Sequence, residues 1–251
     1  MTVSAAALVI AARSSANSGI DLSATYGHKS LIRLNGRTAI SHVIDNVRSC
    51  PRVGRIVLVS EGEGIVERSG ADEHIEAADG DTRAVLAGLR AVREFERCVI
   101  IAGDMALASP EALEDMIGRS PDADVVYPVV EKAVVGAAYP DLTPYYVRTQ
   151  EGSFTGSGCL LVRPEEALRK ESTLVSVLEA RSNPASLLGL VGAGFALRMM
   201  FSTLSIRDFE ETLSGALGLR CRVYASPHPE LFVSIDSPEN LALIERELGG
   251  R

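Results

Sequence analysis

Short apolar runs alternate with longer amphipathic segments along the chain. The apolar runs predict β-strands at Ala6–Ala11, Arg55–Ser60, Val99–Ala102, Asp124–Val129, Tyr145–Arg148, Cys159–Val162, Arg220–Ala225 and Phe232–Ile235. The amphipathic segments predict helices at Ala39–Val47, Thr82–Arg93 and Pro110–Ile117. Alternation of strand and helix implies right-handed crossovers and a mostly parallel sheet covered by helices on both faces. The pattern therefore predicts an α/β protein with three α/β/α layers.

Two helix starts are clearly marked, and one region interrupts the alternation. Ser109-Pro110-Glu111 and Ser237-Pro238-Glu239 each combine a capping hydroxyl, a proline at the first helical position and an acid in the first turn. Residues 164–217 are largely helical in pattern and are predicted as a helical insertion before the last strands. With no repeat and no linker, residues 1–251 are predicted to form one domain.

Composition and charge narrow the class of partner. The chain has 251 residues, 46% of them hydrophobic and 23% charged, which excludes general disorder. A formal net charge of −8 and the lack of a Lys/Arg-rich stretch argue against nucleic acid as a partner. The apolar stretch 187–201 contains Arg198 and is too short to span a membrane. A cytoplasmic protein is expected, and the sequence leaves open whether it is a homo-oligomer.

Two aspartates follow apolar runs and are candidate metal ligands. Asp104 comes after a predicted central strand and Gly103, and Asp236 comes after Phe232–Ile235 and directly before a helix. Each has an ordinary structural explanation, as a turn residue or an aid to helix capping. However, Ser237 is the better cap for the helix, and ligands of open α/β sheets bind at the carboxyl ends of strands. Two acids there predict a Mg²⁺ site completed by substrate phosphates and water.

Lys29 is the third candidate. It lies between the polar stretch 13–28, which follows the first predicted strand, and the turn Asn35-Gly36. A long loop after the first strand is a common place for phosphate binding, and a lysine there can neutralise phosphate charge. A solvated surface lysine is the default interpretation for such a residue taken alone.

The order of these segments resembles that of the MobA-like NTP transferases, nucleotidyltransferases with a glycosyltransferase-A-like fold. The resemblance covers nearly the whole chain, and it rests on the order and spacing of segments none of which is distinctive alone. They are Ala7–Ala12, His28-Lys29-Ser30-Leu31, Asn35-Gly36-Arg37, Ile40–Val47, Ala102-Gly103-Asp104, Phe154-Thr155-Gly156-Ser157-Gly158 and Ile235-Asp236-Ser237-Pro238-Glu239-Asn240.

The resemblance implies a reaction and a role for each matching residue. An acceptor phosphate would attack the α-phosphate of an NTP and release pyrophosphate, with Mg²⁺ as cofactor and a phosphorylated small molecule as acceptor. Lys29 would be catalytic and bind phosphates, and Asp104 and Asp236 would bind the metal. The other nucleotide-binding residues would be Ala11, Ala12, Arg13, Ser14, Ser15, Thr82, Arg83 and Gly103. The acceptor pocket would be lined by Thr155, Gly156, Ser157 and Gly158.

One segment departs from the family pattern. Where these enzymes have a glycine-rich loop around the triphosphate, this chain has Ala11-Ala12-Arg13-Ser14-Ser15-Ala16-Asn17-Ser18-Gly19. Glycines permit positive φ and close backbone approach to phosphates. Either Arg13 and the serine hydroxyls replace the backbone donors, or triphosphate binding is weakened. The altered loop leaves open a non-catalytic nucleotide-binding or scaffolding protein. A glycosyltransferase that uses a nucleotide sugar would share the scaffold and is the other alternative.

Overall fold

The structure is a computed structural model. It describes residues 5–11, 28–60, 70–76, 80–180 and 203–250, together with residues 189, 192, 194, 195 and 198.

The strands and helices alternate over most of that part. The strands are β1 (Ala5–Ala11), β2 (Arg33–Leu34), β3 (Arg37–Thr38), β4 (Val53–Ser60), β5 (Glu73–Glu76), β6 (Cys98–Ala102), β7 (Val125–Glu131), β8 (Val147–Arg148), β9 (Ser153–Gly156), β10 (Cys159–Val162) and β11 (Cys221–Ser226). The α-helices are α1 (Ala39–Ser49), α2 (Gly80–Ala91), α3 (Pro110–Arg119), α4 (Lys132–Ala138), α5 (Pro164–Arg169), α6 (Glu171–Ala180), α7 (Ile206–Leu217) and α8 (Pro238–Gly249). Short 3₁₀ helices span Lys29–Leu31 and Pro229–Phe232.

The central sheet has nine strands in the order β5-β4-β1-β6-β10-β7-β9-β8, and β11 also pairs with β7. β1 pairs in parallel with β4 and β6, and β11 pairs in parallel with β7. β10 is antiparallel to both β6 and β7, so β6 and β7 run in the same direction. Because only β9 and β10 of the described sheet oppose the others, the predicted mostly parallel sheet is confirmed. The carboxyl ends of β1, β6, β7 and β8 consequently meet at one edge, called here the carboxyl edge.

Helices cover both faces of this sheet, as the three-layer prediction requires. On one face, α1 and α3 pack through apolar side chains such as Ile44 and Leu113 against Val9 and Ile101. On the other face, α2 packs through Leu89 against Leu8 and Val57, and α5 contributes Ala167. These strand residues are fully buried, which explains why their runs are continuously apolar rather than alternating.

The secondary-structure predictions were confirmed for the central elements and wrong at one predicted strand. Both marked helix starts are correct, since Ser109 and Ser237 each accept a hydrogen bond from the helix they precede. Phe232–Ile235 is not a strand: it follows the 3₁₀ helix Pro229–Phe232, and its apolar side chains pack against Leu34 and Leu107. A short apolar run is buried equally well in either conformation, so its hydrophobicity did not decide between them.

Other differences concern short edge elements and the predicted insertion. β5 and β9 were not predicted, because their sequences are too polar or too short to stand out. Helices α5, α6 and α7 lie between β10 and β11, inside the predicted insertion 164–217, but most of residues 181–202 lies outside the described residues. None of the described helices is long and apolar enough to cross a membrane.

Candidate active site

Asp104 lies in the turn that follows β6 at the carboxyl edge. The backbone N–H of Gly103 donates to the carbonyl of Ile10 in β1 at 2.9 Å, and the N–H of Met105 donates to the carbonyl of Ala102 at 3.3 Å. These bonds attach the turn to two central strands. Asp104 is 8% exposed, so its carboxylate is held in a largely desolvated position beside the sheet.

Lys29 begins the 3₁₀ helix that leads into the hairpin β2–β3. His28 caps this helix, because the N–H of Ser30 donates to its Nδ1 at 3.1 Å. Ser30 is buried, and Ile32 and Leu34 anchor the following segment in the core. The cap and the apolar anchor hold the start of this helix, so Lys29 projects from a fixed point at the carboxyl edge.

Asp236 lies in the loop between the 3₁₀ helix Pro229–Phe232 and α8. Its carboxylate forms an ion pair with the Lys29 ammonium and accepts a hydrogen bond from the Ser234 hydroxyl. The side-chain amide of Asn240 in α8 donates to the carbonyl of Ser234 at 2.9 Å, which fixes the loop. Ser237 caps α8 with a bond to the N–H of Asn240 at 3.1 Å, so Asp236 is free of the capping role.

The charges of these three residues act on one another. Burial, and after it the negative charge of Asp236, raises the pKa of Asp104 to about 6, although the Lys29 charge opposes the rise. For Asp236, burial also favours the neutral form, but hydrogen bonds from Lys29 and Ser234 and the Lys29 charge lower its pKa overall. The ligand-free arrangement thus holds two facing carboxylates and one lysine, with more negative than positive charge.

This set of donors fits a hard divalent cation. Mg²⁺ is bound in such sites through one or two carboxylates, with phosphates and water completing an octahedron. Asp104 is buried without an ion-pair partner of its own among the described residues, and its repulsion by Asp236 would be relieved by a cation between them. No group of three or more His, Cys, Asp or Glu side chains within the described ranges is arranged to hold a metal. A metal held by this carboxylate pair would take phosphate oxygens and water as its other ligands.

Gly103 lies where another backbone and a buried hydroxyl approach closely. A Cβ at this position would be 2.7 Å from Ser30 Oγ, 3.3 Å from Ala11 Cβ and 3.4 Å from the Ile10 carbonyl oxygen. Only glycine therefore allows the turn with Asp104 to lie against the segment with Lys29.

We expect Gly103→Ala to lower the free energy of unfolding by about 1–3 kcal/mol, because the added methyl overpacks a closed contact. Denaturant unfolding monitored by circular dichroism measures the change. Combining it with Ser30→Ala removes the nearest atom and should recover part of the loss. A Gly103→Ala protein as stable as the unaltered chain would show that this contact is not tight.

The other predicted nucleotide-binding residues are only partly described. Ala11 ends β1 and is buried, so its backbone rather than its methyl lies at the carboxyl edge. Thr82 and Arg83 lie in the first turn of α2, which starts at that same edge because it follows β5 and precedes the parallel strand β6. Ala12, Arg13, Ser14 and Ser15 lie outside the described residues.

The predicted acceptor segment lies directly beside Asp104. Thr155 is buried in β9, whereas Gly156 and Gly158 are exposed at the carboxyl edge. The N–H of Ala102 donates to the carbonyl of Gly158 at 3.3 Å. The hydroxyl of Ser157 donates to the carbonyl of Leu231 at 2.7 Å and accepts from the N–H of Cys159 at 3.1 Å. Ser157 thus connects β10 to the 3₁₀ helix before Asp236, and acceptor binding by this segment stays a prediction.

Sequence reasoning missed the residues that hold the three charged groups in place. Ser234 binds the Asp236 carboxylate, and Asn240 holds the Ser234 carbonyl. A serine two residues before an aspartate is too common to signal this role. Lys132 and Arg148, two further cations at the carboxyl edge, were also missed, because isolated surface cations are ordinary.

Comparison with known proteins identifies the class to which this fold and site belong. A family model for the MobA-like NTP transferase domain matches residues 7–198. The chain therefore belongs to the MobA-like NTP transferase family, and this membership supports nucleotidyltransferase activity. Asp236 lies beyond the matched residues, so its proximity to Lys29 is known from the structure alone. No functionally curated protein matches the sequence.

Solved structures share the fold over nearly the whole chain. A hypothetical transferase from Thermus thermophilus is 26% identical with a TM-score of 0.84, and the match covers 95% of this chain and 99% of that one. CMP:2-keto-3-deoxy-manno-octonic acid synthetase in complex with CTP is 17% identical with a TM-score of 0.59, covering 98% and 99%. The 4-diphosphocytidyl-2C-methyl-D-erythritol synthase of Anaerococcus prevotii is 12% identical with a TM-score of 0.57, covering 98% and 96%. The last two likenesses concern the fold alone.

Proposed function

We propose that this protein is a Mg²⁺-dependent nucleotidyltransferase that moves an NMP from an NTP to a phosphorylated small-molecule acceptor. The observation that carries the proposal is the convergence of Lys29, Asp104 and Asp236 at the carboxyl edge of a MobA-like fold. Two structural neighbours that share the fold are named for CMP and diphosphocytidyl products.

In the proposed reaction, an acceptor phosphate oxygen forms a bond to the α-phosphorus of the NTP. The bond from that phosphorus to the bridging oxygen breaks, and its electron pair leaves with pyrophosphate. The work of the protein is then to position both substrates and to neutralise their charge. Lys29 serves this purpose when its ammonium turns from Asp236 to the phosphates, because the pair is part-exposed and weak enough to exchange.

Asp104 and Asp236 would hold the Mg²⁺. The metal supplies charge neutralisation at the phosphate oxygens. Asp104 is positioned for this by the turn bonded to β1, and Asp236 by the Ser234 hydroxyl. Because Asp104 is desolvated, its interaction with a cation is screened less than that of a surface carboxylate.

A non-catalytic nucleotide-binding protein is the second candidate, and it is favoured by one observation. The segment Arg13–Ala16 lacks the glycines that the family uses around the triphosphate. If this loss is uncompensated, the nucleotide binds without transfer, or no nucleotide binds.

Calorimetric titration with each common NTP, with and without Mg²⁺, tests the proposal. We expect one NTP to bind saturably and only with Mg²⁺, since the site carries excess negative charge until a cation is present. Product analysis separates the two enzyme classes, since a nucleotidyltransferase releases pyrophosphate from an NTP whereas a glycosyltransferase releases a nucleotide from a nucleotide sugar. Absence of binding by every NTP at millimolar concentration would overturn the proposed function.

A further inference from the structure

An open groove of about 740 Å³ lies at the carboxyl edge, and its lining does not include Lys29, Asp104 or Asp236. Its lining includes Lys132, Tyr145, Tyr146, Arg148 and Ser153. Lys132 directly follows β7, Arg148 ends β8, and Ser153 begins β9. Since β9 is antiparallel to both neighbours, all three positions are at the edge where β6 delivers Asp104.

The two cations of this groove are held apart by regular structure. Arg148 is paired with Ser153 in the β8–β9 ladder, and Glu131, which precedes Lys132, is paired with Phe154. Lys132 and Arg148 therefore flank β9, separated by two strand spacings or roughly 10 Å. Arg148 lies in the ladder and Lys132 begins α4 directly after it, so both cations start from regular structure and present a defined target for an extended anion.

The charges of this groove are uncompensated within the described part of the chain. Most of its other arginines form ion pairs with carboxylates, including Arg48, Arg55 and Arg220. Neither Lys132 nor Arg148 has such a partner among the described residues, in a chain with a net charge of −8.

The carboxylates nearest in sequence to these cations, Glu131 and Glu151, form no ion pair with them among the described residues. Glu131 Oε1 lies 3.7 Å from the position that a Cβ on Gly152 would occupy. The carboxylate of Glu151 accepts from the N–H of Ile206 at 3.0 Å. An incoming phosphate would therefore meet unpaired positive charge in the groove.

The tyrosines give the groove a second kind of contact. Lys132 Nζ lies 5.6 Å from the ring centroid of Tyr146, which holds the lysine at the groove wall. Tyr145 is 78% exposed, which is unusual for a large hydrophobic side chain in the described part of the chain. A rigid aromatic ring beside two cations can pack on the body of a small molecule whose phosphate the cations bind.

The groove and the proposed catalytic centre lie along the same edge of the sheet. Strand β10 separates β6 from β7, and the exposed Gly156 and Gly158 lie on the edge between Asp104 and the groove. β9 and β10 pair with β7 on the same side, opposite β11, so β7 and the Lys132 that follows it are two strand spacings, roughly 10 Å, from β6. A molecule that reacts beside Asp104 must be elongated to reach it.

We propose that this groove binds the far end of the acceptor, and that the acceptor carries a second phosphate at that end, distant from the one that reacts. This inference rests on the proposed nucleotidyl transfer and names the acceptor class: an elongated bisphosphorylated small molecule. Lys132 and Arg148 bind the second phosphate, and Tyr145 contacts the body of the molecule.

Fructose 1,6-bisphosphate and fructose 6-phosphate are the probes for a calorimetric test. We expect the bisphosphate to bind at least about tenfold more tightly than the monophosphate. The double variant Lys132→Gln/Arg148→Gln should lose about tenfold in affinity for the bisphosphate, as removal of two exposed charge pairs predicts. Its dissociation constant for the Mg²⁺-bound NTP should stay within about twofold, because neither residue contacts Lys29, Asp104 or Asp236 in the interactions that the structure describes.

The matched control is Arg93→Gln/Lys170→Gln, which removes the same charge from exposed residues outside the groove. An equal loss of bisphosphate affinity in the control would show that the effect comes from net charge alone, and it would overturn the proposal. Equal binding of the two sugars, or full affinity in the groove variant, would overturn it as well. A third outcome is that the unaltered protein binds no NTP and only the groove variant loses bisphosphate affinity. This result would overturn the proposed function and support an anion site in the groove.

The oligomeric state provides an independent check. Size-exclusion chromatography with light scattering should give the same molecular mass for Tyr145→Ser as for the unaltered chain. A dimer that Tyr145→Ser dissociates would show that the groove is buried between two copies, and the acceptor proposal would then be wrong.

Discussion

Asp104→Asn is expected to make the ligand-free protein more stable at pH 7.5 while weakening Mg²⁺-dependent NTP binding by at least about 10- to 100-fold. The folded protein holds this carboxyl at a pKa of about 6, against an ordinary value of 3.8. Because of that difference, ionisation of the group destabilises the folded state by roughly 3 kcal/mol relative to the unfolded chain. Asparagine keeps the shape and one acceptor oxygen, so thermal unfolding in EDTA should shift upward by about 5–10 °C.

The dependence of this effect on pH has a definite sign. Below about pH 4 the carboxyl is neutral in both the folded and the unfolded chain, and the folded state bears no cost from it. As pH rises from about 4 to 6, only the unfolded chain releases its proton, so the free energy of unfolding decreases. Above pH 6 the full cost is present. The asparagine variant should lack this decrease, which unfolding measured at pH 4, 5, 6 and 7.5 would reveal.

NTP affinity completes the test of Asp104. Loss of a residue that only supports a metal ligand typically weakens metal binding by 10- to 100-fold, so loss of the ligand itself should cost at least about as much. Asp45→Asn, a change at an exposed carboxylate on α1, is the control and should alter stability by no more than about 0.5 kcal/mol. A marked drop in thermal stability for Asp104→Asn, with NTP binding intact, would mean that Asp104 is a structural turn residue.

Lys29→Met is expected to slow pyrophosphate release from the bound NTP by about 100- to 1000-fold, the usual cost of removing one preorganised group that stabilises developing charge. Binding of the Mg²⁺-bound NTP should weaken much less, because the metal still neutralises most of the phosphate charge. Initial rates with sugar phosphates and polyol phosphates as acceptors, together with the calorimetric dissociation constant, separate the two effects. Fold stability should change little, since the partner Asp236 side chain is 55% exposed.

Two further variants distinguish a catalytic lysine from a general loss of charge. Lys29→Arg keeps the charge but places it on a planar, larger group, so it should recover part of the rate and not all of it. Lys170→Met removes an exposed lysine remote from the carboxyl edge and should leave the rate unchanged. Unaltered pyrophosphate release by Lys29→Met would assign catalysis to other residues of this edge.

Much of the fold could be predicted from local patterns. The buried strands β1, β4, β6 and β10 are continuous apolar runs, and the helices α1, α2 and α3 show helical spacing. Ser109-Pro110 and Ser237-Pro238 marked two helix starts because capping is a local interaction. Local patterns failed at Phe232–Ile235, whose burial is satisfied by packing on Leu34 and Leu107 and needs no partner strand.

The candidate site, too, was predicted only in part from local sequence patterns. Sequence position alone put Asp104 at a strand end, since a glycine and an acid after an apolar run are a local signal. The contact between Lys29 and Asp236 joins residues 207 positions apart, and no local pattern encodes it. Its geometry depends on the 3₁₀ helix capped by His28 and on the loop held by Ser234 and Asn240.

The amino-acid sequence by itself determined the α/β class, the family resemblance and the candidates Lys29, Asp104 and Asp236, because these follow from short-range periodicity, capping and segment order. Only the tertiary structure decided which groups meet. It brought the three charged side chains together, raised the pKa of Asp104 through burial and the charge of Asp236, and aligned Lys132 with Arg148 across β9. The physical reason is that desolvation and charge coupling depend on distance in space, which the folded sheet sets and the linear chain does not.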